Sequence, residues 1–451
     1  MASETLHAPV HSNIPSPVAS SARNCASQDS QSSSSPVRFV PPDPESLEET
    51  GLNEHDLEVL VLKLLLKRGT VSGRGIAERL HLPRPILQQS FERLRSELMI
   101  AIKGSSGLED YVFQLTEAGF DRARREHQHC SYAGAAPVPL DAYMEGIANQ
   151  SLQQSSLTME KLRAAFCDLR LSETLISQLG QAINDGRGLF LFGPPGNGKT
   201  SLSELVVSAF GEYLWIPRTI TIDGELVRLY DPRSHEAVEL PQLEEISYDK
   251  RWILIRRPTI IVGGELTMEQ LDLQVNPQTG ISEASVQLRA NGGALVIDDF
   301  GRQRMPTSEL LNRLIVPMEK HHDYLNLSSG RQVAVPFDML IVFSTNLEPS
   351  DLVDEAFLRR IPYKIEVEGP STEEFVALLH DLASKIECNC DPGAVDYLLN
   401  KHYEPTGRPL RFCHPRDLLR QIRNYCEFHN QPLAVTSQTI DIAVKNYFAG
   451  L

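Results

Sequence analysis

The sequence of 451 residues predicts an α/β protein built on a parallel sheet, with an α+β domain before the sheet and helices after it. Three short apolar runs, at 188–192, 294–297 and 339–343, are typical of parallel strands buried on both faces. Helical periodicity then recurs toward the C-terminus, near 372–386, 391–402, 415–428 and 437–448.

A glycine-rich stretch connects the first apolar run to a helical pattern that continues to Phe210. It reads Gly193-Pro194-Pro195-Gly196-Asn197-Gly198-Lys199-Thr200-Ser201, which is G-x-x-x-x-G-K-[ST] between a strand and a helix. Glycines let backbone N–H groups surround phosphate oxygens, and the helix start adds partial positive charge. We therefore predict that residues 193–201 bind ATP, with Lys199 on the β- and γ-phosphates and Thr200 on Mg²⁺.

Polar residues follow the other two apolar runs. Asp298 and Asp299 come directly after 294–297, and Asn346 comes shortly after 339–343. Ligands of open α/β sheets bind at the carboxyl ends of the strands. We predict that Asp298 holds Mg²⁺, that Asp299 polarises the attacking water, and that Asn346 orients this water or contacts the γ-phosphate.

The order of these elements resembles the AAA+ ATPase family over residues 157–451. The resemblance implies a Mg²⁺-dependent ATP hydrolase that works as a homo-oligomeric ring. A hexamer is one option, and the sequence leaves the ring size open. It also implies that Asn346 is the sensor-1 residue. Arg360, or its neighbour Arg359, would be the arginine finger on the adjacent subunit's γ-phosphate, and Arg416 would be the sensor-2 arginine of the helical lid.

Two further features refine this resemblance. The segment Tyr324–Pro336 is similar to the hairpin before sensor 1 in the clade of MoxR-like ATPases, enhancer-binding activators and replicative helicases. Asp299 stands where the family usually has Glu, so its carboxylate must be brought closer to the water. Two alternatives therefore stay open: a nucleotide-gated DNA-binding regulator with negligible hydrolysis, and a MoxR-like protein-remodelling chaperone without a nucleic-acid role.

Residues 51–129 resemble a winged helix, with three helical patterns, two β-like runs at 99–103 and 111–115, and a last helix. The third helix of DNA-binding members enters the major groove. The matching nucleic-acid-binding candidates here are Arg84, Gln88, Arg93 and Arg95. With 12 Lys and Arg against 11 Asp and Glu, the domain is only weakly basic. The sequence leaves open whether its target is DNA or a protein.

The remaining segments complete the predicted domain plan. Residues 1–50 are rich in Ser and Pro and are predicted to be disordered. The plan is a tail at 1–50, a winged helix at 51–129, a linker at 130–156, an AAA+ core at 157–370 with a β-rich insertion at about 223–285, and a lid at 371–451. In the insertion, Arg251, Arg256 and Arg257 are interpreted either as contacts for an acidic polymer or as edge-strand charge.

Composition excludes several classes of protein. The formal charge of −16 argues against a polycation that coats nucleic acid through bulk charge. Seven scattered cysteines without a Cys-x-x-Cys pair indicate reduced thiols. No apolar stretch reaches the roughly 20 residues that a membrane span needs, and no secretory signal is evident. We therefore expect a cytoplasmic protein.

Overall fold

A computed structural model describes residues 39–107, 110–152, 157–166, 171–243, 246–353 and 355–449. The prediction of disorder for residues 1–38 lies outside this part of the chain. None of the described helices is both long and apolar enough to cross a bilayer. The cysteines at 130, 388, 390, 413 and 426 are free thiols, and Cys25 and Cys167 lie outside the described residues.

A five-stranded parallel sheet forms the centre of the molecule, and it confirms the predicted α/β fold class. Its strands, in spatial order, are β10 (Thr259–Val262), β13 (Ala294–Ile297), β16 (Leu340–Ser344), β5 (Leu189–Phe192) and β17 (Tyr363–Glu366). The pairing sets Ile297 opposite Phe343, and Phe343 opposite Phe190. This register brings the carboxyl ends of the three predicted apolar strands to one edge of the sheet.

Both faces of this sheet are buried because side chains alternate along each strand. Leu189 and Leu191 pack against one helical layer, whereas Phe190 packs with Phe300 and Phe343 on the other face. The first layer contains α7 (Met159–Ala165), α8 (Glu173–Asp185) and α9 (Lys199–Ser208). The second contains α10 (Val286–Ala290) and α11 (Thr307–Lys320).

Short elements connect the central strands to each other and to the C-terminal part. They are a hairpin of β14 (His322–Asn326) and β15 (Gln332–Pro336), followed later by α12 (Pro349–Leu352) and α13 (Glu355–Leu358). The hairpin contains the segment 324–336 that the sequence singled out, begins two residues before it, and directly precedes β16.

A helical domain follows, and its helices lie where the sequence predicted them. They are α14 (Thr372–Lys385), α15 (Ala394–Leu398) with a π-helical turn at Leu399–Tyr403, α16 (Cys413–Phe428) and α17 (Ser437–Tyr447). Two short parallel strands, β18 (Asn389–Cys390) and β19 (Ala434–Val435), join its loops. The domain has its own hydrophobic core.

The N-terminal domain has its elements in the predicted order. They are α2 (Glu54–Arg68), β1 (Thr70–Ser72), α3 (Gly73–Leu80), α4 (Arg84–Ser96), β2 (Ile100–Gly107), β3 (Asp110–Leu115) and α5 (Glu117–His129). The three strands form one antiparallel sheet in the order β1–β3–β2. Helices α2, α3 and α4 bury their apolar faces in a shared core.

The predicted boundary of the disordered tail at residue 50 is wrong, because residues 39–50 are folded onto the rest of the chain. Phe39 contacts Trp252, with ring centroids 6.0 Å apart. The carbonyl of Pro41 accepts a hydrogen bond from the backbone N–H of Asp249 at 3.1 Å. A short helix, α1 (Leu47–Thr50), completes this segment. Its few apolar residues gave no periodic signal in the sequence.

The predicted linker at 130–156 is also wrong in part, since residues 138–149 belong to a second sheet and its helix. Strand β4 (Val138–Pro139) pairs with β7 (Thr219–Ile222), and α6 (Leu140–Asn149) packs on the same layer. The order of this sheet is β11–β12–β8–β7–β4, with β8 (Glu225–Arg228), β11 (Gln274–Asn276) and β12 (Ile281–Glu283). A two-residue strand is too short to show periodicity.

The β-rich insertion needs one correction. Strand β10 belongs to the central sheet and not to an insertion, because it pairs in parallel with β13. The preceding strand, β9 (Trp252–Arg256), pairs with β6 (Tyr213–Pro217) in a separate antiparallel ribbon. The sequences of β9 and β10 are both short and apolar, so they do not indicate which strand each one pairs with.

The alternative of an acidic-polymer contact by the three insertion arginines is wrong for Arg251. Its side chain is buried and pairs with Asp249 at 2.8 Å. It also donates to the backbone carbonyls of Thr50 and Pro137 at 2.8 and 3.2 Å. Arg251 therefore joins the N-terminal segment, the connector and the β-ribbon.

The other two insertion arginines are also engaged within the chain. Arg256 pairs with Glu212 and Glu236, each at 3.1 Å. Arg257 donates to the carbonyls of Gly292 and Gln150 at 2.6 and 3.2 Å.

Candidate nucleotide-binding site

The loop at 193–198 is shaped by glycines that other residues could not replace. Gly193, Gly196 and Gly198 all have positive φ, at 126°, 85° and 80°. A Cβ at Gly193 would lie 2.8 Å from the carbonyl oxygen of Val367, and one at Gly196 would lie 2.5 Å from Cys413 Sγ. The loop is therefore pressed between strand β17 and the helical domain, where only glycine fits.

The rest of the loop leads into α9, which begins at Lys199 with Gly198 as its N-cap. Pro194 and Pro195 form the turn, and Ser201 lies in the first turn of the helix. The Asn197 side chain is buried and donates to the Val367 carbonyl at 3.1 Å, so it anchors the loop to β17.

Lys199 is directed back into the loop. Its Nζ donates to the carbonyls of Gly193 and Pro194 at 2.8 and 3.0 Å, and to Asn346 Oδ1 at 2.7 Å. Burial lowers the pKa of Lys199, although the carboxylates of Asp298 and Asp299 oppose this effect. The ammonium group thus lies at the loop's centre with all three donors engaged.

Thr200 and Asp298 meet where the loop passes the end of β13. The Thr200 hydroxyl donates to Asp298 Oδ2 at 3.0 Å, and Asp298 Oδ1 accepts the backbone N–H of Asp299 at 3.0 Å. A hydroxyl and a carboxylate oxygen side by side are hard oxygen donors, the type that Mg²⁺ binds. The chemistry of this pair therefore fits the predicted metal.

Asp299 has an uncommon backbone conformation, with φ of 48°, and its side chain is exposed. Left-handed backbone at a non-glycine residue carries strain and is found at functional sites. Asn346 Nδ2 lies 3.4 Å from Asp299 Oδ1. The Asn346 amide therefore lies between the Lys199 ammonium and the Asp299 carboxylate.

Gln303 is a supporting residue that sequence reasoning missed. Its Nε2 donates to the carbonyls of Asp298 and Asp299 at 3.0 and 3.2 Å, and its Oε1 accepts the N–H of Gly301 at 2.8 Å. These bonds hold the turn that carries both carboxylates. Gln303 lies in a loop without periodicity, where only the short distance from the Asp pair could have indicated it.

The predicted arginine finger residues lie away from this chain's own loop. Arg359 pairs with Glu355 at 2.7 Å, and Arg360 lies 3.7 Å from Glu319. Their side chains are 75% and 52% exposed, respectively.

Arg416 is not brought to the loop by the contacts within the described residues. Its Nε donates to Asp417 at 3.1 Å, and its side chain is 64% exposed. The helical domain instead reaches the loop through the N–H of Cys413, which donates to the Gly196 carbonyl at 2.9 Å.

Arg411 lies beside that contact and was missed by sequence reasoning. Its positive charge contributes to the lowered pKa of Lys199, although burial is the larger cause. Its Nε is buried and has no hydrogen-bond partner in the described structure. Arg411 precedes the helix, whereas the family pattern directed attention to an arginine inside it.

The four nucleic-acid-binding candidates divide into two places. Arg84, Gln88 and Arg95 line a groove of about 590 Å³ between α4 and β3, together with the exposed Tyr111. Gln88 also donates to Glu92 at 2.8 Å.

Arg93 lies apart from this groove. Its guanidinium contacts Glu54, and it pairs with Glu58 at 3.1 Å and Glu97 at 3.2 Å. Such a network of carboxylates explains the position of Arg93 without a ligand.

Comparisons with known proteins give a fold likeness and a partial family match. A family described as a domain of unknown function, DUF8689, matches residues 371–446, which is the helical domain. No curated protein matches the chain significantly.

Two kinds of solved structure are similar. The Thermotoga maritima RuvB Holliday junction branch migration motor is 14% identical, with a TM-score of 0.36 over 63% of this chain and 73% of that chain. NtrX from Brucella abortus is 15% identical, with a TM-score of 0.39 over 64% of this chain and 59% of that chain.

The strand order, the loop and the helical domain define the architecture without these likenesses, whose TM-scores are below 0.5. The fold is a parallel α/β sheet with a glycine-rich loop between β5 and α9, followed by a helical domain. The chemistry of the site depends on its own geometry.

Proposed function

We propose that this chain is a Mg²⁺-dependent ATPase. One observation carries the proposal: residues that follow three adjacent parallel strands, β5, β13 and β16, converge at one edge of the sheet. Thr200 Oγ1 lies 3.0 Å from Asp298 Oδ2, and Lys199 Nζ lies 2.7 Å from Asn346 Oδ1. A phosphate chain bound to the loop would lie against all four side chains.

Lys199 and the backbone of the loop would bind the phosphates. The ammonium group now donates to two neutral carbonyls and an amide oxygen. Charged phosphate oxygens are stronger acceptors than these. ATP would therefore draw Lys199 away from the loop carbonyls and release Asn346 to face the γ-phosphate.

Thr200 and Asp298 would hold Mg²⁺, which when bound neutralises charge on the phosphate oxygens. Asp299 would accept a proton from the attacking water, with Asn346 fixing the water's position. Arg411 would stabilise the charge that develops on the phosphates from within the same chain. This role suits Arg411 better than Arg416, since Arg411 lies beside Lys199 and has an unpartnered buried nitrogen.

A homo-oligomer, with a hexameric ring as one option, would complete the site. Arg359 and Arg360 are exposed on the surface of the core, where one of them can reach the γ-phosphate of a neighbouring copy. Mass measurement with a non-hydrolysable ATP analogue should then show assembly in the presence of nucleotide. If the chain is a monomer both with and without the analogue, neither Arg359 nor Arg360 acts on the γ-phosphate of a neighbouring copy.

The N-terminal domain at 51–129, interpreted as a winged helix, would recruit the target. The groove lined by Arg84, Gln88 and Arg95 is the surface we propose for this contact. DNA retention at moderate salt should be weakened by Arg84→Ala with Arg95→Ala. Arg93→Ala is the matched control, because its charge is already paired with glutamates. Equal loss in both variants would contradict the groove assignment.

Phosphate release from Mg²⁺-ATP tests the enzymatic proposal. Wild-type chain should release phosphate steadily, Lys199→Ala and Asp299→Ala should not, and Lys445→Ala should behave as wild type. Lys445 is an exposed lysine of α17 and serves as the control for removing a positive charge. If the wild-type chain binds ATP but releases phosphate only at the background rate, the proposal of hydrolysis is wrong and the proposal of ATP binding stands.

That second outcome corresponds to a nucleotide-gated regulator with negligible hydrolysis. The observation that favours it is Asp299, which has a side chain one methylene shorter than Glu and a left-handed backbone. A protein-remodelling chaperone is the remaining alternative. It is favoured by the β14–β15 hairpin, where Tyr324 exposes half of its surface to a partner.

A further inference from the structure

A second cationic site lies outside the nucleotide loop, where the N-terminal domain meets the second sheet. A cavity of about 440 Å³ opens between the ends of α2 and α3, the connector at 132–135, and strands β7 and β8. Five of its lining side chains are cations and one, Glu78, is an acid. The cations are Lys67, Arg68, Arg79, Arg218 and Arg228.

Arg218 is the residue whose position calls for a ligand. Its Nε is buried and has no hydrogen-bond partner, and no carboxylate pairs with it in the described part of the chain. Among the described residues, the ionisable neighbours that influence its pKa are three tyrosines, Tyr230, Tyr248 and Tyr132, and not carboxylates. Burial lowers the pKa of Arg218. A partly buried cation without a counter-charge destabilises a fold unless something compensates for it.

The other four cations each have an ordinary structural explanation. Lys67 and Arg68 lie in the last turn of α2, where cations interact favourably with the helix dipole. Arg79 donates to the Gly75 carbonyl at 2.8 Å, and Arg228 lies 3.3 Å from Glu283. These explanations do not extend to Arg218, although all five charges face one cavity.

His81 does not add to this charge. Burial, helped by the nearby Arg218, lowers the pKa of His81 to about 4, so its ring is neutral at neutral pH. The positive potential of the cavity therefore comes from arginine and lysine and persists at any physiological pH.

We propose that this cavity binds a small anionic ligand that carries phosphate groups, with Arg218 as its central contact. Its volume is in the range of small-molecule sites, roughly 300–1,000 Å³. Guanidinium groups bind phosphate oxygens in pairs of parallel hydrogen bonds. A nucleic-acid strand fits less well, because the cations converge on one cavity and do not follow a track. The chain's charge of −16 also opposes long-range attraction of a polyanion.

The ligand would connect separate parts of the chain. Arg79 is on the N-terminal domain, Tyr132 is on the connector, and Arg218 and Arg228 are on the second sheet. Bound phosphates would therefore fix the N-terminal domain relative to the second sheet. This site is independent of the proposed ATPase function.

Titration calorimetry with pyrophosphate tests the proposal, using the full chain with Lys199→Ala so that the nucleotide loop is silenced. This chain should still bind pyrophosphate. Adding Arg218→Ala should weaken binding by about tenfold or more, as expected for loss of a charged hydrogen bond. Adding Arg420→Ala, an exposed lid arginine outside the cavity lining, should leave it unchanged.

Three outcomes would overturn the proposal. They are no pyrophosphate binding by the Lys199→Ala chain at millimolar concentration, an unchanged affinity with Arg218→Ala, or tighter binding of a single-stranded oligonucleotide that Arg218→Ala abolishes. The last would assign the cavity to nucleic acid. Arg79→Ala is a second variant, at an exposed position where the substitution should not disturb folding. It tests the cavity even if Arg218→Ala fails to fold. It should weaken pyrophosphate binding severalfold.

Discussion

Lys199 and Arg218 are two cations that each face a cavity or loop of the chain, and they differ in their hydrogen bonding. Lys199 donates to three acceptors within 3.0 Å, whereas Arg218 has a buried nitrogen with none. Lys199 is in a sequence pattern that predicts its ligand, and Arg218 is in no pattern. A sequence motif therefore identifies one kind of site, and a buried donor without a hydrogen-bond partner identifies another.

The largest effect should separate the two cations functionally. Lys199→Ala should weaken ATP binding and reduce turnover by about a hundredfold or more, since it removes a charge that contacts the phosphates. Arg218→Ala should leave both within about twofold, because it lies outside the loop. Equilibrium ATP binding and phosphate release measure this. If Arg218→Ala impaired turnover as strongly as Lys199→Ala, the two sites would not be independent.

The next effect concerns which lid arginine serves the nucleotide site. Arg411→Ala should lower turnover by about tenfold, the loss of one charged hydrogen bond, and Arg416→Ala should lower it less. Steady-state phosphate release from matched amounts of each variant provides the comparison. The reverse ranking would restore Arg416 to the role that the family resemblance implies.

A smaller effect is expected at the catalytic carboxylate. Asp299→Glu should raise turnover severalfold, because the longer side chain brings its carboxylate nearer the water. The left-handed backbone at this position reduces the gain, since Glu tolerates it less well than Asp. Single-turnover phosphate release separates this change from nucleotide binding. A decrease would show that the turn is built for Asp.

The smallest expected effect is the change in stability at Arg218, and Arg251 provides a larger contrast. Arg218→Met should raise the free energy of unfolding by about 1 kcal/mol without ligand, because an unpaired, partly buried charge is replaced by an apolar side chain. Arg251→Met is the contrast, because it leaves the buried Asp249 carboxylate without its ion-pair partner. It should lower the free energy of unfolding by about 3–5 kcal/mol. Urea unfolding measures both. Destabilisation by Arg218→Met would mean that Arg218 is a structural residue.

The sequence predicted the main strands and helices of the fold, but not which strands pair and which distant segments pack together. The loop and the strands 294–297 and 339–343 were recognisable, because the glycine-rich pattern and the polar residues that follow each apolar run carry the information locally. Strand β10 was assigned to an insertion, since pairing with β13 is a long-range fact that a four-residue run does not encode. Residues 39–50 were assigned to the tail, because their order depends on Trp252 and Asp249, about two hundred positions away in the chain.

The candidate site shows the same limit. Lys199, Thr200, Asp298 and Asn346 come together as predicted from the ends of adjacent strands. Gln303 and Arg411 are in irregular segments, and only the folded backbone brings them near the site.

The meeting of Thr200 and Asp298 supports the proposal most directly, and one measurement tests it. ATP affinity should be measured with Mg²⁺ and with a chelator, for the wild-type chain and for Asp298→Ala. The proposal predicts that Mg²⁺ tightens ATP binding to the wild-type chain and has little effect on the variant. Equal Mg²⁺ dependence in the two chains would contradict the metal site and, with it, the proposed ATPase chemistry.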